Sequence, residues 1–191
     1  MKVLGYGEDF LTFWAVTRKL GEILSQLKDD TDPEECTVFY RPSFGRRGGA
    51  KRSEFGEFDA LIITPKMVHL VESKWDRSKA SFPNNVLKLE DVQTQRHQIF
   101  RWYHENWKGE NWKEFAQKHA QEFREKFRKN IAGERSLLSQ NLMTVLGKTR
   151  ERKLIDVLLF LHRKEPPKIE TTFKVVKIKY EPAEGEYIEL T

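Results

Sequence analysis

Asp59, Glu72 and Lys74 are the residues of this chain whose types and spacing could do chemistry together. They lie in the stretch Gly56 to Trp75, GEFDALIITPKMVHLVESKW, where two apolar runs flank Pro65-Lys66. A hairpin centred on that dipeptide sets residues whose numbers sum to 131 opposite each other, so Asp59 faces Glu72. Alternation along each strand then sends Glu57, Asp59, Glu72 and Lys74 to one side of the sheet. Two carboxylates opposed across a ladder, with Cβ atoms ~5 Å apart, repel each other unless a cation sits between them. Carboxylate oxygens suit Mg²⁺. The plainer alternative is a surface hairpin with charged ends, in which Glu57 pairs with Lys74.

An acid-x-Lys triplet is weak by itself. With 29 acidic residues and many lysines among 191 positions, chance gives about three such triplets. Glu151-Arg152-Lys153 is one of them, but it precedes an apolar run and has no acid-bearing strand just upstream. Glu72-Ser73-Lys74 stands apart because it ends the run Val68 to Val71 and because the hairpin register brings Asp59 to it.

The string GEFDALII...VHLVESKW resembles the PD-(D/E)xK nuclease superfamily, with its restriction-endonuclease-like fold, and looks most like nuclease-related domains and archaeal Holliday-junction resolvases. The resemblance implies Asp59 and Glu72 as metal ligands, Ser73 lending its backbone carbonyl, and Lys74 orienting or deprotonating the attacking water. Phe58 stands where the family name has proline, a position that varies widely in the superfamily. Several relatives carry a glutamate in the first helix that completes the metal site, which implies Glu8 as a further ligand. An acid in a first helical turn also simply favours the helix dipole. Glu22, further along that helix, is a weaker candidate. A glutamine on the helix after the lysine strand faces the active site in nuclease-related domains, which points to Gln95. Gln98 with Trp102 is similar to a glutamine-to-tyrosine motif of the exonuclease branch, with tryptophan in place of tyrosine. Solvent-facing glutamines are the plainer reading of both.

The resemblance further implies an α/β fold with an αβββαβ core, a mixed sheet flanked by helices, covering roughly Glu8 to Asn106 and resuming near Leu154. Periodicity agrees with that order. Apolar residues spaced by three and four predict a helix from Glu8 to about Lys28. Cys36 to Tyr40 reads as a short strand, and Pro42 to Ser53 as a glycine-bearing basic loop. Helices are predicted over Val86 to Trp107, Trp112 to Ile131 and Ser136 to Leu146, and strands over Leu154 to Leu161 and Thr171 to Tyr180. Residues 109–147 lie outside the core pattern and read as a helical insertion, for substrate, for dimerisation or for packing alone. The absence of a Ser/Gly linker predicts one domain over residues 1–191.

Arg41, Arg46, Arg47, Lys51 and Arg52 put five cations within twelve residues, in a loop that leads into the Asp59 strand. Guanidinium groups there can reach phosphate oxygens, which makes them candidate nucleic-acid contacts, although most charge runs are merely solvated. Gly45 to Gly49 is no P-loop, since no Gly-Lys-Ser/Thr follows. The net charge of +5 fits DNA as a partner without requiring it. Cys36 is the single cysteine, which excludes an intrachain disulfide framework and a thiolate zinc cluster and suits a reducing cytoplasm. The N-terminus has no signal-peptide pattern and no apolar run is long enough to span a bilayer, so no membrane role is expected. The histidines lack zinc spacing, and Trp102, Trp107 and Trp112, able in principle to stack on bases, sit at spacings typical of a core.

Two functions follow as expectations. One is a Mg²⁺-dependent DNA nuclease, with Mn²⁺ as a substitute ion, whose cleavage the resemblance implies to leave a 5′ phosphate. The other is a nucleic-acid-binding or scaffold module of the same fold that does not cut. Cutting branched DNA calls for a homodimer presenting two sites, exonuclease action for a monomer, and the residues leave both open.

Overall fold

Alternating or continuous apolar runs build a sheet, and stripes of three-to-four spacing build the helices laid on its faces. The computed structural model describes residues 2–45, 51–77, 86–164 and 168–190. Its first half runs β1 (Val3–Gly5), α1 (Glu8–Arg18), α2 (Leu20–Leu27), β2 (Thr37–Tyr40), β3 (Ser43–Phe44), β4 (Gly56–Glu57), β5 (Ala60–Ile63) and β6 (Met67–Trp75). The second half runs β7 (Val86–Lys88), α3 (Asp91–Asn106), α4 (Trp112–Phe127), α5 (Leu137–Thr149), β8 (Lys153–His162), β9 (Lys168–Glu170), β10 (Lys174–Lys179) and β11 (Ile188–Leu190).

The central sheet has the order β10-β8-β6-β5-β2. Strands β2, β5 and β6 form an antiparallel meander, whereas β8 lies parallel to both β6 and β10, so the sheet is mixed. Ala60 pairs with Val71 and Ile63 with Val68, the register expected from the hairpin centre. Thr64 closes the turn, donating its N–H to the Met67 carbonyl and accepting the Met67 N–H on Oγ1, each at 2.9 Å.

Both faces of the sheet are covered, which is why β5 is buried along its whole length. Ala60, Ile62, Val71, Leu159 and Val176 meet Leu11, Ala15, Leu20, Ile23 and Leu24 of α1 and α2. Leu61, Ile63, Val68 and Leu70 meet Ile99, Phe100, Tyr103, Phe115, Phe123 and Leu142 of the other three helices. Helices α4 and α5 thus complete a core layer, and packing is the role that the structure gives to the stretch read as an insertion. Trp102 and Trp112 belong to this layer too, with Tyr103 stacked on Trp112 at 5.8 Å between ring centroids.

Three local predictions change. Ser43 and Phe44, read as part of the basic loop, form the short strand β3 paired with β4, with Phe44 drawn into the core. The single helix expected to Lys28 breaks at Lys19, whose φ of −121° lies outside the helical well. A continuous helix would carry the stripe of Leu11 and Ala15 on to Lys19, and the break brings Leu20 inward instead. Val86 to Lys88 forms a strand rather than the start of a helix and pairs in parallel with β9. Leu87 is drawn under Phe160 and Phe173, and a capping box between Glu90 and Gln93 delays the helix to Asp91. At α5, Ser136 is the N-cap and accepts the Ser139 N–H at 3.1 Å. Ser136→Ala is expected to cost about 1 kcal/mol, readable as a lower urea midpoint with an unchanged slope. No helix among the described residues is long and apolar enough to cross a membrane.

Candidate functional site

The hairpin register carries Asp59 and Glu72 to the same end of the sheet. There a cleft of about 310 Å³ is lined by Glu8 from α1, Arg41, Gly56 and Glu57, Asp59 just ahead of β5, Glu72 and Lys74 from β6, and Gln93 and Arg96 from α3. Asp59 accepts the Ser73 N–H at 2.7 Å. Burial, with the nearby charges of Glu72 and Glu8, raises its pKa from 3.8 to about 7, against the opposing pull of the Ser73 N–H and Arg96. Glu8 accepts the Trp75 N–H at 3.0 Å. Burial pushes its carboxyl up as well, Lys74 and the Trp75 N–H pull it down, and the net direction is upward.

Glu72 is buried, with 1% of its surface exposed, and both of its oxygens are engaged. Arg96 Nη1 donates to Oε1 at 2.7 Å, His97 Nε2 lies 3.3 Å from the same oxygen, and Gln93 Nε2 donates to Oε2 at 3.1 Å. Gln93 also accepts the Glu90 N–H on Oε1 at 3.0 Å, so the residue that caps α3 is the one that reaches the cleft. The other ring nitrogen of His97 is 2.8 Å from Asp156, which in turn accepts from Arg101 at 2.9 Å. Burial pulls the His97 pKa down, but the hydrogen bonds to Asp156 and Glu72 outweigh it and the net shift is upward. Carboxylate oxygens thus face both ring nitrogens of His97, an arrangement that favours its protonated form. Burial raises the Asp156 carboxyl, and the His97 and Arg101 contacts overcome it, so its pKa falls.

The structure brings Asp59, Glu72, Lys74 and Glu8 into one cleft. Ser73 points to the other face of the sheet, fully buried, and serves this end of β6 through the N–H it gives Asp59, while its hydroxyl has no hydrogen-bond partner among the described residues. Gln95 is half-buried and does not line the cleft, and Gln93 takes that place. Two residues turn a helix by about 200°, so a glutamine two positions on cannot share the face of Gln93. Gln98 is exposed and Trp102 lies in the aromatic core, which separates that pair from the site.

The basic loop does not act as one body. Arg41 lines the cleft, pairing with Asp9 and, at 3.1 Å, with Glu57. Lys51 and Arg52 are exposed and tied by their backbone to Arg128 and Asn130 at the end of α4, away from the cleft lining. Arg46 and Arg47 lie outside the described residues.

Sequence patterns alone did not single out Gln93, Arg96 and His97, although their i, i+3, i+4 spacing sets them on one helical face. Asp156 carried a signal as well: a lone acid in an apolar strand requires a partner.

Among the described residues no group of three or more His, Cys, Asp or Glu side chains is arranged to hold a metal ion. Mg²⁺ commonly takes only one or two carboxylates and keeps several waters. The all-oxygen pair Asp59 and Glu72, with an Asp59 carboxyl made uncomfortable by burial among other acids, fits such an ion. Comparison with protein-family models, with curated proteins and with solved structures returns no match.

Proposed function

We propose that this chain is a metal-dependent deoxyribonuclease with a restriction-endonuclease-like core. The observation that carries the reading is the half-buried Asp59, its pKa near 7, set against Glu72 and Glu8 with Lys74 at the same cleft. The succession α1, β2, β5, β6, α3, β8 supports an αβββαβ core, as does the resemblance carried by Asp59, Glu72 and Lys74.

In this reading Asp59 and Glu72 would hold Mg²⁺, with Glu8 at the cleft wall. The ion, when bound, would supply Lewis acidity toward a phosphoryl oxygen and acidify water. Lys74 orients the attacking water by hydrogen bonding, and its charge offsets the negative charge that develops on the phosphate. Arg41 and Arg96, the two guanidinium groups of the cleft, neutralise the backbone at the point of attack. The water oxygen bonds to phosphorus and releases a proton to solvent, the P–O bond on the 3′ side breaks, and the departing 3′ oxygen takes a proton from solvent, which leaves a 5′ phosphate and a 3′ hydroxyl.

The test is cleavage of linear, single-stranded and branched DNA with Mg²⁺ or Mn²⁺. The wild type is expected to cut and Lys74→Ala to cut about a hundredfold more slowly; equal rates in both proteins, or none in the wild type, reject the reading. A non-cutting binding module is the second reading, favoured by one observation: both Glu72 oxygens are already engaged, Oε1 by Arg96 and Oε2 by Gln93. Calorimetric titration with Mn²⁺ separates the two, since a module without a site gives no heat that Asp59→Ala removes.

A further inference from the structure

A second cleft is larger than the carboxylate one. It measures about 670 Å³, within the ~300 to 1,000 Å³ typical of small-molecule sites, and is lined by the end of α3, the end of α5 and the first residue of β8. Lys153 pairs with Met67, whereas Glu72 and Lys74 pair with Leu158 and Phe160. At 3.3 Å per strand residue the two clefts stand about 20 Å apart, at opposite ends of the sheet.

Cations outnumber carboxylates in the lining of the larger cleft, with Lys108, Arg150, Arg152 and Lys153 against Glu105 and Glu151. Lys108, Arg150 and Lys153 are exposed at its rim and have no carboxylate partner among the described residues. Arg152 adds a fourth charge from the wall, its guanidinium held at 2.8 Å by the carbonyls of Thr64 and Lys148. Arg150 lies over Gly109, whose φ of +93° and missing side chain leave it room: a Cβ there would sit 2.3 Å from Nη2. Trp107 supplies an aromatic wall, its indole N–H satisfied by the Glu110 carbonyl at 3.1 Å.

We propose that this cleft binds a nucleotide, with the phosphate on Arg150, Lys153 and Lys108 and the base against Trp107. Unpaired guanidinium and ammonium groups take up phosphate oxygens, and a planar base stacks on an indole face. A ligand of that class joins both halves of the cleft, whereas inorganic phosphate uses only one. The nucleotide can be free or a unit of a single strand, and the two sources separate experimentally.

The test is quenching of tryptophan fluorescence, with calorimetry, on the full chain titrated with AMP, ATP, tripolyphosphate and an oligothymidylate. Saturable binding of AMP and ATP is expected, weakened at least tenfold in the double variant Arg150→Ala, Lys153→Ala, whose exposed positions leave the fold intact. Trp107→Leu should weaken AMP more than tripolyphosphate, with circular dichroism confirming that the variant is folded. Binding of the oligonucleotide alone, lost in the same double variant, assigns the site to a strand. No saturation by any nucleotide at millimolar concentration, or binding indifferent to the double variant, overturns the proposal.

Discussion

Asp59→Asn is expected to unfold at higher urea concentration than the wild type in metal-free buffer at pH 8, and to cut DNA at least about a thousandfold more slowly. The stability gain follows from linkage. An aspartate at 3.8 when unfolded and about 7 when folded binds its proton more tightly in the native state. That contribution is present below the unfolded pKa and is lost as pH rises toward and through 7. About three pKa units correspond to ~4 kcal/mol of penalty once both states are ionised. Asparagine is also buried at a cost, so a net gain of roughly 2 kcal/mol is expected. The Ser73 N–H keeps an acceptor in the asparagine carbonyl. The gain should turn into a loss of roughly 2 kcal/mol at pH 4, where the native carboxyl is protonated and only the cost of the buried amide remains, and equal gains at both pH values would refute the buried-charge account. Mn²⁺ should stabilise the wild type at pH 8 more than at pH 5, because the ion and the proton compete for Asp59. A site that destabilises its own fold in this way exchanges stability for function.

Arg96→Met is the second large effect, and it runs the other way. Glu72 is buried and its bond to Arg96, at 2.7 Å, joins two charges of which one is nearly inaccessible. Removing one partner of such a pair costs about 3 kcal/mol, because the other charge is left without compensation. Arg96→Lys keeps the charge but not the guanidinium fork, so a smaller loss is expected. His97, when protonated, provides the remaining cation. With a folded pKa above 6.5, its contribution is complete below 6.5 and disappears as pH rises through the folded value. The Arg96→Met deficit should therefore widen from pH 6 to alkaline pH, as seen in urea midpoints. Mn²⁺ should bind this variant about tenfold more tightly, a change of 1.4 kcal/mol, since the ion no longer competes with a guanidinium for Glu72. Unchanged affinity in calorimetry, with the wild type binding normally, refutes the competition.

Much of the site was legible because strand geometry is a matter of parity. A hairpin centre and the period of two place Asp59 opposite Glu72 and Lys74 on the same face, and these positions need no knowledge of the rest of the chain. Glu8 came from the resemblance instead, through its place at the start of the first helix, and the structure sets it in the same cleft. Helix-to-sheet order, the buried character of β8 and the core placement of Trp102 and Trp112 also follow from local spacing.

Tertiary structure alone decided what surrounds those acids. Whether Gln93 or Gln95 reaches the cleft depends on where α3 begins and on its rotation about its own axis. That rotation is set by the Glu90 cap, by Leu87 seated under Phe160, and by Ile99 and Phe100 packed on the sheet. The clamp of Arg96 and His97 on Glu72, closed behind by Asp156, joins residues of two strands and a helix separated by as many as 84 positions (Glu72 to Asp156). Burial of Asp59, which moves its proton affinity by about three units, is a property of everything packed around it. Local sequence specifies which face a side chain takes because backbone geometry is periodic, whereas partners and proton affinities arise from desolvation and contacts between distant segments, which have no period to read.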